Sequence, residues 1–249
     1  MITLKGLVNK QAKFITATYR IKEVMCVFLF ITLISLSVQG QNKQKANYKY
    51  LVYLPKDYSA TTKTYPLMIY LGGGSQRGDD LNKLKTFGPP ALISKGQDFD
   101  FIIISPQCPE GKTWTSENWF DSLSTSLIPK YRIDSNRVYV TGISIGGYGT
   151  WQVAMDYPDK FAAIIPLCGG VNDSDTLNIS KIKHLPVWTF HGMTDDIIPI
   201  EETERVFKKL KVLKSPVKFT RIKNGDHGIQ YLYEDPKIYK WMLRQRKSE

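Results

Sequence analysis

Seven short apolar runs recur along the chain, at residues 50–54, 67–71, 101–105, 138–141, 162–167, 187–190 and 217–222. Most are nearly continuous instead of alternating, which is the pattern of strands covered on both faces. Between them the period lengthens. Glu201 to Leu213 places Val206, Phe207, Leu210 and Leu213 on one helical face, with acidic residues in the first turn, where they oppose the positive end of the helix dipole. A second helix is predicted from Asp235-Pro236 to near Arg246, with Asp235 as cap and Pro236 in the first helical position. Strand and helix in alternation predict an α/β fold with a mostly parallel central sheet and helices on both faces. The 249 residues, 42% of them hydrophobic, suffice for one domain with a sizeable core, and no internal repeat or low-complexity segment interrupts them.

The N-terminal 40 residues follow another pattern. Val24 to Val38 is an apolar run of 15, preceded by Lys5, Lys10, Lys13, Arg20 and Lys22 and followed by Gln39-Gly40-Gln41. A spanning helix needs about 20 apolar residues, whereas a signal-peptide core of this length with a small residue near the cut is usual. Residues 1–40 are therefore read as a signal peptide cleaved after Gly40, with an uncleaved anchor as the alternative and Met25 as a candidate true start. Residues 41–249 then form a single catalytic domain, in a secreted or periplasmic protein.

The candidate chemistry starts at Gly142-Ile143-Ser144-Ile145-Gly146, directly after the apolar run Arg137 to Thr141 and directly before helix-compatible sequence. A serine on a sharp strand-to-helix turn, with glycines two positions either side, is a nucleophile elbow. A plain turn is the bland alternative, and partners decide between them. Only His184, His191 and His227 can serve as base. The chain order serine, acid, histidine selects His227, on a polar glycine-bracketed turn after the last apolar run. His191 is read as structural. The acid must accept the second ring N–H of His227, and by residue type either Asp195 or Asp196 qualifies.

The segment Arg137 to Gly170 resembles the small α/β-hydrolases described as predicted peptidases, polyhydroxybutyrate-depolymerase-like proteins and feruloyl or acetyl-xylan esterases. Tyr65 to Asp80 is similar to that family's third strand and oxyanion loop, and Ser105-Pro106-Gln107-Cys108-Pro109 with Trp114, and His191 to Pro199, resemble its later landmarks. The four motifs fall in the family's order over roughly residues 48–245. The resemblance implies an α/β-hydrolase fold, Asp195 as the acid and the backbone N–H groups of Ile145 and the Gly74 region as oxyanion donors. One departure stands out: Gly72-Gly73 occupies the place of the family's usual His-Gly, so a side chain that often braces the oxyanion loop is missing.

About 17 residues separate Cys168 from Pro186, which leaves no room for a large lid, so an open cleft is expected above Ser144. Trp114 and Trp119 follow a strand near that cleft, either as an aromatic floor for a sugar or phenolic acid or as ordinary core. Cys108 and Cys168 fall at the ends of non-adjacent strands and are read as two buried thiols instead of a bridge. No Cys or His spacing suggests a metal site, and no cofactor is implied. The formal charge of +11 becomes +7 once residues 1–40, with five basic and one acidic residue, are removed. The remaining basic residues are scattered, so no nucleic-acid partner is expected, nor a membrane partner after cleavage. The expected activity is hydrolysis of a carboxylic ester, and the resemblance implies an acylated polysaccharide, feruloyl or acetyl, as the substrate class. A serine peptidase and a non-catalytic binding protein of the same fold are the alternatives, and the oligomeric state is left open.

Overall fold

The computed structural model describes residues 48–247; the proposed signal peptide, Cys26 and the candidate start at Met25 lie outside the described residues. All seven apolar runs form strands: β1 (Tyr50–Tyr53), β2 (Tyr65–Leu71), β3 (Ile102–Pro106), β4 (Ile133–Ile143), β5 (Ala163–Leu167), β6 (Val187–Gly192) and β7 (Val217–Ile222). They lie in one sheet in the order β1-β3-β2-β4-β5-β6-β7, parallel throughout except that β1 runs antiparallel to β3.

Strand position explains the patterns. β2, β3, β5 and β6 are buried at every residue, whereas the edge strand β7 has no fully buried residue and exposes Lys218 and Arg221. β4 begins earlier than its apolar run suggests. Its first residues Ile133 to Arg137 are only partly buried, and the pairing slips between Tyr65 and Leu67. The polar triplet Asp134-Ser135-Asn136 lies ahead of the apolar run but belongs to the strand.

Successive side chains of the sheet separate two cores. Leu67, Ile69 and Leu71 face a cluster that includes Trp151, Val206 and Leu210, and Met68 and Tyr70 face one that includes Leu92, Ile238 and Met242. The helices supplying these contacts are α1 (Gly88–Ser94), α2 (Trp119–Ser126), α3 (Ile145–Asp156), α4 (Glu201–Val212) and α5 (Pro236–Leu243). α2, α3 and α4 cover the first face, and α1 and α5 the second. In α4 the buried stripe is Thr203, Val206 and Leu210, while Phe207 stacks at its margin on Phe219. Asp235 caps α5 by accepting from the Lys237 amide. The stretch between β5 and β6 holds a 3-10 segment, Asp173–Ile182, and no helical cap domain. Among the described residues no helix is long and apolar enough to cross a membrane.

Cys108 and Cys168 are both free and buried. They follow β3 and β5, which β2 and β4 keep apart. Burial pushes the Cys108 thiol up to about 12 and raises that of Cys168 as well. Neither thiol is expected to react with an aromatic disulfide reagent in the native protein, and both are expected to react once it is unfolded in denaturant. Rapid release of chromophore from the native protein would contradict this burial.

Candidate active site

The end of β4 and the start of α3 meet at Ser144, which adopts φ 60° and ψ −122°. Few non-glycine residues occupy that region, and holding one there costs about 1–3 kcal/mol. The turn survives because its neighbours are glycines under close packing. A Cβ on Gly146 would lie 2.0 Å from the Leu71 carbonyl oxygen, and one on Gly142 would lie 2.4 Å from that of Gly146. Ser144 precedes the first helical residue, yet its side chain does not cap the helix. Its Oγ lies instead 2.9 Å from Nε2 of His227.

His227 sits on the loop after β7, shaped by the Asp226 carboxylate accepting from the Gly228 amide at 2.8 Å. Its side chain is 24% exposed. Its Nδ1 lies 2.8 Å from Asp195 Oδ2 and 3.1 Å from Oδ1. The Asp195 side chain is fully buried, and Oδ1 also accepts from the amides of Ile197 and Ile198 at 3.0 and 2.9 Å. Burial acts to raise this carboxyl, but the Ile198 amide, the His227 ring and the Ile197 amide outweigh it and hold it below the usual carboxylate range. Asp196, its neighbour, is exposed. Three loops at the same end of the sheet thus bring Ser144, His227 and Asp195 into one hydrogen-bonded row.

Of the two anticipated oxyanion donors, Ile145 is the first residue of α3 and Gly74 opens the 3-10 turn Gly74–Gln76, so neither N–H has an acceptor inside its own element. The two segments touch. A Cβ on Gly73 would lie 3.6 Å from the Ile143 carbonyl oxygen, and one on Gly146 2.9 Å from that of Gly72. Gln76 occupies the space beside Gly72 into which a side chain at that position would project. Its side chain is buried, accepts from Tyr70 Oη at 3.0 Å and donates to the carbonyls of Leu84 and Phe87 at 3.0 and 3.2 Å. A Cβ at Gly72 would lie 2.6 Å from its Oε1.

Trp114 and Trp119 do not form an aromatic floor. They are 2% and 4% exposed and pack edge to face at 5.3 Å within the core. Their ring N–H groups are used internally, Trp114 donating to the Gly72 carbonyl at 2.9 Å and Trp119 to that of Trp114 at 3.0 Å. A buried indole needs such a partner, and here Trp114 finds it in the loop beside the elbow, which it props from within.

Neither the role of Gln76 nor the loop-bracing part of Trp114 shows in the sequence, and the surroundings of His191 do not either. Cys168, His191 and Asp195 bring one potential ligand atom each within 4.8 Å of one another. They come from β5's end, β6 and the following loop, so their spacing gives no local signature. Both ring nitrogens of His191 and both oxygens of Asp195 are engaged in hydrogen bonds.

Residues 114–233 match the phospholipase/carboxylesterase family model. Among curated proteins, the chain is 26% identical over 167 residues to a bifunctional acetylxylan esterase/xylanase of Neocallimastix patriciarum, covering 64% of this chain and 23% of that protein. It is 32% identical over 95 residues to poly(3-hydroxyalkanoate) depolymerase C of Paucimonas lemoignei, covering 38% of this chain and 19% of the relative. The chain thus spans less than a quarter of the length of these two relatives. A solved thermostable esterase superposes with a TM-score of 0.66 at 29% identity, over 79% of this chain and 59% of its own. A ferulic acid esterase shares the fold, at 16% identity and a TM-score of 0.55 over 78% of this chain and 89% of its own. With the sheet order and the elbow, these likenesses show that the chain has the α/β-hydrolase fold.

Proposed function

We propose that the protein is a serine hydrolase that cleaves carboxylic esters. The observation that carries this is the row Ser144 Oγ, His227 ring, Asp195 carboxylate, with contacts of 2.9 and 2.8 Å. His227 Nε2 takes the Ser144 proton as Oγ attacks the ester carbonyl, and Asp195 accepts from Nδ1–H, fixing the tautomer and stabilising the imidazolium. The N–H groups of Ile145 and the Gly74 region receive the developing oxyanion, where each such donor contributes roughly 3–4 kcal/mol. His227 then protonates the departing alcohol, and water, activated by the same ring, releases the acid from the acyl-enzyme.

An acylated polysaccharide, acetyl or feruloyl, is the proposed substrate class. The acetylxylan esterase relatives support it, as does the lack of a cap domain between β5 and β6 that would exclude a bulky carrier. The apolar run 24–38 supports export. The bracing by Gln76 and Trp114 speaks against a fold kept only for binding, since the loop that lost its usual histidine is held by other means.

The test is a comparison of p-nitrophenyl acetate, methyl ferulate, acetylated xylan and a peptide anilide. Turnover of the esters with acetate or ferulate released from the polymer is expected. Cleavage confined to the anilide would replace the ester reading with a peptidase, and inactivity on all four would favour a binding protein.

A further inference from the structure

Behind Asp195 stands a second imidazole that the proposed reaction does not use. His191, near the end of β6, has a fully buried side chain. Its Nε2 lies 3.1 Å from Asp195 Oδ2 and 2.9 Å from the Ile198 carbonyl oxygen. The Ile198 carbonyl carries no hydrogen, so Nε2 must be the protonated nitrogen; it donates to that carbonyl, and the same positive N–H edge of the ring lies against Asp195 Oδ2. Its Nδ1 lies 2.7 Å from Thr203 Oγ1, which lies 2.6 Å from the Gly169 carbonyl oxygen. That carbonyl also accepts from Trp151 Nε1 at 3.3 Å.

We infer that His191 is a positioning residue for the acid of the row: it fixes Asp195 Oδ2, the oxygen that meets His227. This rests on the Ser144–His227–Asp195 reading. The two carboxylate oxygens are held from different sides. Oδ1 is anchored by the amides of Ile197 and Ile198, and Oδ2 is hydrogen-bonded by the His227 ring with the Nε2–H edge of His191 in contact at 3.1 Å. Because the Ile198 carbonyl is also bound by His191 while its amide binds Oδ1, one ring locks both the carboxylate and the turn that presents it. The single hydroxyl hydrogen of Thr203 serves either the unprotonated Nδ1 or the Gly169 carbonyl, and its oxygen packs that ring against α4. Serine, histidine and aspartate come from three separate loops, and His191 joins the acid's loop to the rigid sheet and helix beneath it. No proton leaves His191 in the reaction. Its N–H stays on Nε2 while the Ser144 proton travels to His227 and on to the leaving alcohol.

The experiment compares the full chain with His191→Phe, which keeps a ring but loses both nitrogens, His191→Gln, which keeps an amide donor, and Thr203→Val, which removes the hydroxyl beneath the ring. His184→Gln serves as control, because His184 is exposed beside Asp159. Three readouts are taken: fluorophosphonate labelling of Ser144, kcat and KM on p-nitrophenyl acetate, and the low-field proton resonance of the Asp195–His227 hydrogen bond. His191→Phe is expected to lower kcat about ten- to a hundredfold with KM little changed, and to shift or broaden the low-field resonance. His191→Gln is expected to recover most of both, and the control to match wild type.

A folded His191→Phe with wild-type kcat and an unmoved resonance overturns the proposal, as does a fall in kcat that His191→Gln does not relieve. If His191→Phe fails to fold, Thr203→Val decides, since a role confined to packing leaves its resonance and kcat unchanged and a positioning role does not. Failure of the underlying reading looks different: the wild-type chain itself would not take the fluorophosphonate at Ser144, and the role of His191 would fall with it. A wild type that labels, beside variants that behave like it, removes His191 alone.

Discussion

Replacing Ser144 by alanine is expected to lower kcat on p-nitrophenyl acetate by about ten thousand- to a millionfold and to end fluorophosphonate labelling, with the fold retained. Alanine lacks the Oγ that faces His227 but keeps a Cβ, so the backbone at φ 60° is as strained as before. Thermal stability should therefore change little. Ser144→Gly separates the two effects. It is expected to be equally inactive yet more stable, because glycine occupies that region without the strain of about 1–3 kcal/mol. Against this stands an entropic cost of about 0.5–1 kcal/mol for glycine in the unfolded chain. The net gain of about 1 kcal/mol corresponds to a rise in Tm of about 2–4 °C for a domain of this size. Residual ester turnover in either variant near the wild-type rate would assign the nucleophile to another residue, and a Ser144→Gly variant less stable than Ser144→Ala would contradict the strain. Together the two variants test whether the turn is held against its own preference for the sake of placing Oγ.

The strands were legible because sheets buried on both faces select nearly continuous apolar runs, and residues 67–71 or 101–105 permit little else. The elbow was legible for a related reason: only glycines fit where a Cβ would meet carbonyl oxygens at 2.0 and 2.4 Å, so packing writes itself into the local sequence. What could not be read depended on segments meeting in space. Trp114 and Trp119 announce aromatic surface, but the sequence does not tell that their N–H groups end on the carbonyls of Gly72 and Trp114 and draw both rings into the core. The departure from the family's usual His-Gly at Gly72-Gly73 was visible, and the bracing by Gln76 was not, because it works through contacts with Tyr70, Leu84 and Phe87. His191 is the same case: a histidine at a strand end acquires its meaning only when Asp195, Ile198 and Thr203 close around it. The start of the longest strand was not legible either, because the polar residues at 134–136 lie at its half-exposed end and carry no apolar run.

Gly146→Ala is expected to be the most disruptive single methyl added anywhere in the elbow. The new Cβ would stand 2.0 Å from the Leu71 carbonyl oxygen, 2.8 Å from its carbon and 2.9 Å from the Gly72 carbonyl oxygen. All three are backbone atoms, so no side-chain rotation relieves the clash. Either α3 must withdraw from the end of β2, or the Gly72–Gly74 loop must move outward. The first route shifts Ile145 and Ser144 with the helix, and the second carries the Gly74 amide away from the Ile145 amide. Overpacking against rigid neighbours costs about 3 kcal/mol or more, which for this domain means a Tm lower by about 6–12 °C. A displacement of about 1 Å at the reacting groups costs about a hundredfold in rate. Activity measured well below the lowered Tm should thus still fall at least that far, in kcat more than in KM. Gly111→Ala offers the contrast, for although its φ of 72° also disfavours a side chain, nothing lies within 4 Å of the Cβ. It should lose some stability through backbone strain and retain ester turnover. If Gly146→Ala kept the wild-type rate and Tm, the tight approach of α3 to the end of β2 would be wrong, and with it the physical reason for the glycine that follows Ser144 by two positions.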